Sequence, residues 1–140
     1  MRVGFILILS LCGVHSRAQM DPSQATEIIE DFVAAFNEHD VEAMAGMISE
    51  DLIYMFVTDD KIAVETRGKD AFRKAMLAYY KQIPSARSET ESIMTAGNFV
   101  TVRERAHWKS SKGARSQMSL AVYQLKDNTI HRVWYYPVQR

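Results

Sequence analysis

The chain has 140 residues, so one domain is the expectation, long enough to bury a core without disulfide or metal staples. Apolar residues make up 47% and charged residues 24%, and 17 basic side chains match 17 acidic ones. Zero net charge removes the electrostatic case for nucleic acid or an anionic membrane as partner.

The opening segment "MRVGFILILSLCGVHSRAQ" carries an early cation, Arg2, then an apolar run from Val3 to Leu11, then small residues at Ser16 and Ala18. That order is a secretory signal peptide, and the run is too short to span a bilayer as a mature helix. The expectation is a signal peptide over 1–18, cleaved near Ala18, and a domain over 21–137. Loss of Arg2 and Arg17 leaves 15 cations against 17 acids. Cys12, the single cysteine, falls inside the signal, and Leu11 before it does not suit a lipid-anchored cysteine. The mature chain then has no cysteine, which excludes disulfides, thiol catalysis and cysteine metal sites. Its expected place is the periplasm or outside the cell, with no membrane contact after cleavage.

Asp21-Pro22-Ser23-Gln24 is a helix start: Asp21 caps, Pro22 suits the first helical position and Gln24 completes a capping box. Ile28, Ile29, Phe32, Val33 and Phe36 recur at helical spacing, predicting a helix from Pro22 to Glu38. Asp40 caps a short second helix carrying Val41, Met44, Met47 and Ile48. Leu52 to Val57 reads as a strand, and Ile62 to Glu65 as a small strand or arm. Arg67-Gly68-Lys69 is a turn. Asp70 favours the dipole of a third helix, whose apolar side is Phe72, Ala75, Met76, Tyr79 and Tyr80, and Pro84 closes it. Beyond it the period becomes two, with strands expected at about 87–96, 98–109, 115–125 and 129–136. "KSSKG" and "KDN" supply the turns.

The fold class is therefore α+β. A curved antiparallel sheet is expected to wrap around three N-terminal helices as a cone with a pocket at its open end.

"DFVAAFNEHDVEAMAGMISEDLIYMF" resembles the opening of the nuclear transport factor 2-like superfamily, in its SnoaL-like and ketosteroid-isomerase-like branch. "TRGKDAFRKAM" looks like that family's third helix, and "DNTIHRVWYYP" is similar to its closing strand. The resemblance covers nearly all of 21–137. It specifies fold better than chemistry, because this fold hosts isomerases, hydrolases, cyclases, dehydratases and non-catalytic binding domains. Steroid isomerisation in the family needs an Asp base and an oxyanion hole of a Tyr and a protonated Asp. The resemblance sets Phe32 at the Tyr position, Phe56 at the base and Ala121 at the protonated Asp. All three groups are missing, so that reaction by those residues is not expected.

Strand parity gives an independent view. With a turn at Ser111-Lys112, Glu104 lies opposite Ser119, Val102 opposite Ala121, and Val100 opposite Tyr123. Across the next turn Tyr123 is expected to face His131, and Ala121 to face Val133. One face then reads Val100, Val102, Glu104, Ala106, Ser119, Ala121, Tyr123, His131, Val133 and Tyr135. The resemblance points this face at the cavity.

Glu104 is the candidate acid or base, because a carboxylate among apolar residues has a raised pKa. His131 is the second catalytic candidate, facing Tyr123. The expected ligand pocket is Phe32, Tyr54, Phe56, Met76, Tyr80, Val102, Glu104, Ser119, Tyr123, His131 and Tyr135. The opposite face carries Arg103, Arg105, Trp134 and Tyr136, types that suit a homodimer interface. No His or Asp spacing makes a metal site, and no phosphate loop or Ser–His–Asp arrangement is present, so neither metal nor cofactor is expected. Three functions stay open: binding of a small, largely apolar molecule, an isomerase-, hydrolase- or dehydratase-type enzyme using Glu104, and a non-catalytic dimerisation module.

Overall fold

The computed structural model describes residues 20–138, so the expected signal peptide lies outside the described residues. Helix α1 spans Pro22–Glu38, and the Asp21 side chain caps it by accepting the Ser23 amide at 2.8 Å. It ends at His39 in the left-handed region, φ 58°. That conformation costs a non-glycine residue of the order of 1 kcal/mol. The His39 ring stacks on Tyr80 at 4.0 Å and its Nε2 lies 3.1 Å from the Ala86 carbonyl, contacts that offset the cost. Helix α2 spans Val41–Gly46, capped by Asp40 through the Ala43 amide at 2.9 Å. It is shorter than expected: Met47 is its C-cap and Ile48 already begins a strand.

Strand β1 covers Ile48–Thr58 and β2 covers Lys61–Arg67. Helix α3 follows over Lys69–Gln82. Gly68 initiates it with φ 83°, a conformation glycine adopts without penalty. Strands β3 (Arg87–Ala96), β4 (Phe99–Ser110), β5 (Gly113–Lys126) and β6 (Thr129–Pro137) complete the chain. The β5–β6 turn sets Asp127 and Asn128 at φ 51° and 60°, the paired left-handed residues of a two-residue hairpin.

The six strands form one curved, open sheet in the order β2-β1-β6-β5-β4-β3. The expected antiparallel pairing holds at every contact except one. β1 and β6 run parallel, so the sheet is mixed. The Ile130 amide donates to the Met47 carbonyl at 2.8 Å, which seats the start of β6 beside the start of β1.

The β4–β5 register is the one expected from the Ser111-Lys112 turn, with Glu104 against Ser119 and Val102 against Ala121. The β5–β6 register is not. Tyr123 faces Val133 rather than His131, and Ala121 faces Tyr135 rather than Val133. Leu125 pairs with Ile130 but Gln124 pairs with Arg132, so His131 is the extra residue of a β-bulge. Two further bulges single out Glu65 in β2 and Glu91 in β3. Bulges bend and twist strands, and here they accompany the curvature that opens one end of the sheet.

The closed end is the core. Ile29 of α1, Met44 of α2, Ile48 and Leu52 of β1 meet Val100, Val102, Ala121, Leu125, Ile130 and Val133, all at 1% exposure or less. Burying each large aliphatic side chain there contributes about 2–3 kcal/mol.

Candidate functional site

The concave face of the sheet changes character along each strand. On β4, Val100 and Val102 are sealed in the core, whereas Glu104, Ala106 and Trp108 line a cavity of about 390 Å³. Helix α1 packs over β3 and β4, and α3 over β1 and β2. The cavity lies between these layers. α1 contributes Phe32, Val33 and Phe36, and α3 contributes Phe72, Ala75, Met76 and Tyr79. β1 contributes Tyr54 and Phe56, and the central strands contribute Tyr123 and Tyr135. Six of these rings form one connected cluster, in which Phe32 meets Tyr123 edge-on at 6.2 Å and Phe56 meets Tyr135 at 5.1 Å, while Phe36 and Tyr79 pair separately at 6.1 Å.

Glu104 is the charged group of the inner wall and is 6% exposed. The Ser88 hydroxyl donates to its Oε2 at 3.1 Å. The Ser119 hydroxyl lies 3.4 Å from its Oε1 and 2.8 Å from the Tyr135 hydroxyl. Ser119 has a single proton, so with Glu104 ionised the chain runs from Tyr135 to Ser119 to the carboxylate. Burial pushes the Glu104 carboxyl above its ordinary range, and the hydroxyls of Ser88, Ser119 and Tyr135 pull it part of the way back.

Ser88 is itself held. The Asn37 side chain, at the end of α1, accepts the Ser88 amide at 2.7 Å and donates to the Ser88 carbonyl at 2.9 Å. A residue at the end of a helix thus fixes a hydroxyl on an edge strand, which in turn orients the carboxylate.

Four phenols surround that carboxylate from four elements: Tyr54 of β1, Tyr79 of α3, Tyr123 of β5 and Tyr135 of β6. Burial raises the pKa of each, and the charge of Glu104 adds to the rise. Tyr135 reaches about 12. All four are neutral at physiological pH. Thr66, opposite Tyr54 in β2, also lines the cavity, and its buried hydroxyl has no partner among the described residues. Glu65, turned by its bulge, stands on the exposed side of the opening.

Of the residues expected in the pocket, Phe32, Tyr54, Phe56, Met76, Glu104, Tyr123 and Tyr135 line it. Four do not. Val102 sits in the sealed core, one step deeper along β4 than Glu104. Ser119 lies behind the wall, on the Glu104 carboxylate. Tyr80 turns away, its hydroxyl donating to the Phe36 carbonyl at 2.8 Å, and Tyr79 takes the place assigned to it. His131 is displaced by the bulge; its Nδ1 lies 3.3 Å from both Ser49 Oγ and Asp51 Oδ1, so it does not join Glu104. Sequence reasoning also missed Trp108, which shares the parity of Glu104 and Ala106, and Ser88, reachable only through the β3–β4 register.

Among the described residues no group of three or more His, Cys, Asp or Glu side chains could hold a metal. No described helix is long and apolar enough to cross a membrane. On the convex face, the bulged Glu91 binds Arg103 and Arg105 together, each at 2.8 Å. Leu120, Met94 and Tyr136 are exposed.

A curved sheet closed by helices at one end, with an aromatic cavity at the other, defines a pocket-bearing α+β domain of the nuclear transport factor 2-like type. The family model described as a SnoaL-like domain matches residues 29–133, and the chain belongs to that family. Among solved structures, a cystatin-fold protein from Novosphingobium aromaticivorans superposes with a TM-score of 0.70 at 20% identity, over 79% of this chain and 96% of that one. A ketosteroid-isomerase-like protein from Catenulispora acidiphila, in complex with trimethylamine, gives 0.69 at 13% identity, covering 79% and 84%. A candidate polyketide cyclase from Xanthomonas campestris pv. campestris gives 0.62 at 22%, covering 81% and 90%. No curated protein matches the sequence.

Proposed function

We propose that this SnoaL-like domain binds a small, largely apolar molecule in the cavity, with the molecule's polar atom at Glu104. The observation that carries the reading is the cavity itself: about 390 Å³, walled by aromatic rings, with a buried carboxylate on the inner side. Small-molecule sites have this size and this mixture of apolar wall and few polar groups. The Catenulispora neighbour holding trimethylamine and the cyclase-like neighbour support the use of this fold as a small-molecule container. A purely structural module would need its own side chains to fill that volume.

A second reading is favoured by one observation. Glu104 has a raised pKa and lies on the cavity wall beside phenols that can donate to a developing oxyanion. In that reading Glu104 moves a proton on the bound molecule, as an isomerase or dehydratase requires. The proposal also includes export after cleavage near Ala18, and a homodimer through the convex face around Arg103, Arg105, Trp134 and Tyr136.

Native mass spectrometry of protein purified without denaturation tests the binding reading. A retained small molecule, released by unfolding, is the expected result, and a consistently empty protein contradicts it. Glu104-dependent exchange of a ligand C–H for deuterium separates the enzyme from the binder. The intact mass of the exported protein checks the cleavage site.

A further inference from the structure

We infer that the ligand of this cavity is an organic cation: an ammonium group set against Glu104 and the surrounding phenol rings, with an apolar body toward Phe32, Phe56 and Phe72. The inference rests on the binding reading above and narrows it to a chemical class.

The charge inventory of the wall leads there. Its ionisable side chains are Glu104 inside, Glu65 at the opening, and the phenols of Tyr54, Tyr79, Tyr123 and Tyr135. Among the described residues no lysine, arginine or histidine lines it. An anionic ligand would therefore meet a carboxylate and no counter-charge. A neutral ligand would leave the buried carboxylate without an opposite charge. A cation supplies what the wall lacks.

The rings point the same way. Aromatic faces attract cations, most strongly where water is excluded. Tyr54, Tyr79, Tyr123 and Tyr135 line the same cavity as Glu104, and the Tyr135 hydroxyl is joined to the carboxylate through Ser119, so a cation at the carboxylate shares the cavity with those rings. The orphaned Thr66 hydroxyl offers an acceptor to any ammonium N–H that reaches it.

The geometry also links binding to a proton. The groups facing Glu104 are Ser88 from β3, Ser119 and Tyr123 from β5, Tyr135 from β6, Tyr54 from β1 and Tyr79 from α3. α1 presents only the apolar Phe32, Val33 and Phe36. A cation favours the ionised carboxylate, so a cation of fixed charge binds more tightly as pH rises through the Glu104 pKa of the empty protein.

The test uses benzyltrimethylammonium, whose charge does not titrate, and its neutral carbon isostere neopentylbenzene. Affinities for the intact mature protein are measured by calorimetry or NMR from mildly acid to neutral pH. The cation should bind at least about tenfold more tightly than the isostere at neutral pH. Its affinity should rise with pH while that of the isostere stays flat. Glu104→Gln should abolish both the preference and the pH dependence. Ser88→Ala removes a hydrogen bond to the carboxylate, so it should move the pH midpoint upward, a readout that survives even where Glu104→Gln folds poorly. Equal or tighter binding of the isostere overturns the cation class and leaves the cavity reading standing. Binding of neither probe overturns both. A cation preference that persists in Glu104→Gln removes Glu104 as its counter-charge and refutes the inference.

Discussion

Truncating one side chain at each end of the concave face separates a core from a cavity. Ile29 is fully buried against the closed end of the sheet. Ile29→Ala deletes most of that side chain and leaves a void among close-packed neighbours, costing about 3–4 kcal/mol. Phe56 is larger but only half-buried, with ring neighbours Tyr54 at 5.9 Å and Tyr135 at 5.1 Å. It already borders open space, so Phe56→Ala creates little new void and loses mainly transfer and ring-contact energy, about 1–2 kcal/mol. Urea unfolding at constant slope gives both values. Thermal midpoints should fall by about 10–15 °C for Ile29→Ala and by less than half of that for Phe56→Ala. If Phe56→Ala costs as much as Ile29→Ala, the ring belongs to a filled core, and a domain without a ligand site follows.

Glu104 holds its proton more tightly in the folded chain than at its ordinary value of 4.5, because burial disfavours the charge. Its contribution to stability is complete below about 4.5 and is lost as pH rises through the raised folded value. Urea midpoints should therefore fall over that window relative to Glu104→Gln, and parallel profiles would refute the burial argument. Asn37→Ala removes two hydrogen bonds to the Ser88 backbone and should cost about 2 kcal/mol, with a shift in the Glu104 titration seen by carboxyl NMR. An unchanged titration would show that Asn37 does not position Ser88. Leu120→Arg places a cation on the convex face beside Arg103 and Tyr136, and should convert a dimer to a monomer in sedimentation. A wild-type protein that sediments as a monomer sinks the dimer.

Local signals made much of this fold legible. Asp21 and Asp40 announced their helices through capping, and the Ser111-Lys112 turn fixed the Glu104–Ser119 pair because a short hairpin allows one register. Parity put Glu104 on one face with Val100, Val102 and Ala121, and the family resemblance pointed that face at the cavity. What failed involved features that sequence periodicity does not encode. The expected register of β6 was off by two residues: the two-residue turn at Asp127 and Asn128 accounts for one, and the bulge at His131, which breaks the period of two, for the other. The choice between Tyr79 and Tyr80 depended on a tertiary partner, the Phe36 carbonyl, which lies on another helix. Ser88 and Asn37 meet across 51 residues of chain, a contact that no local pattern reveals. Beside the first strand, Glu50 pairs with Lys69 at 2.8 Å, and Asp51 Oδ1 lies 3.3 Å from His131 Nδ1.

What occupies the space beside Glu104 decides the function of this domain. A crystal structure of the natively purified protein, co-crystallised with benzyltrimethylammonium when it carries no ligand of its own, measures this directly. Density inside the cavity, with its polar or charged end against the Glu104 carboxylate and its body against Phe56 and Phe72, is the result expected. A cone filled by its own side chains, or a ligand seated with Glu104 turned away from it, would contradict the assignment of this cavity as the site.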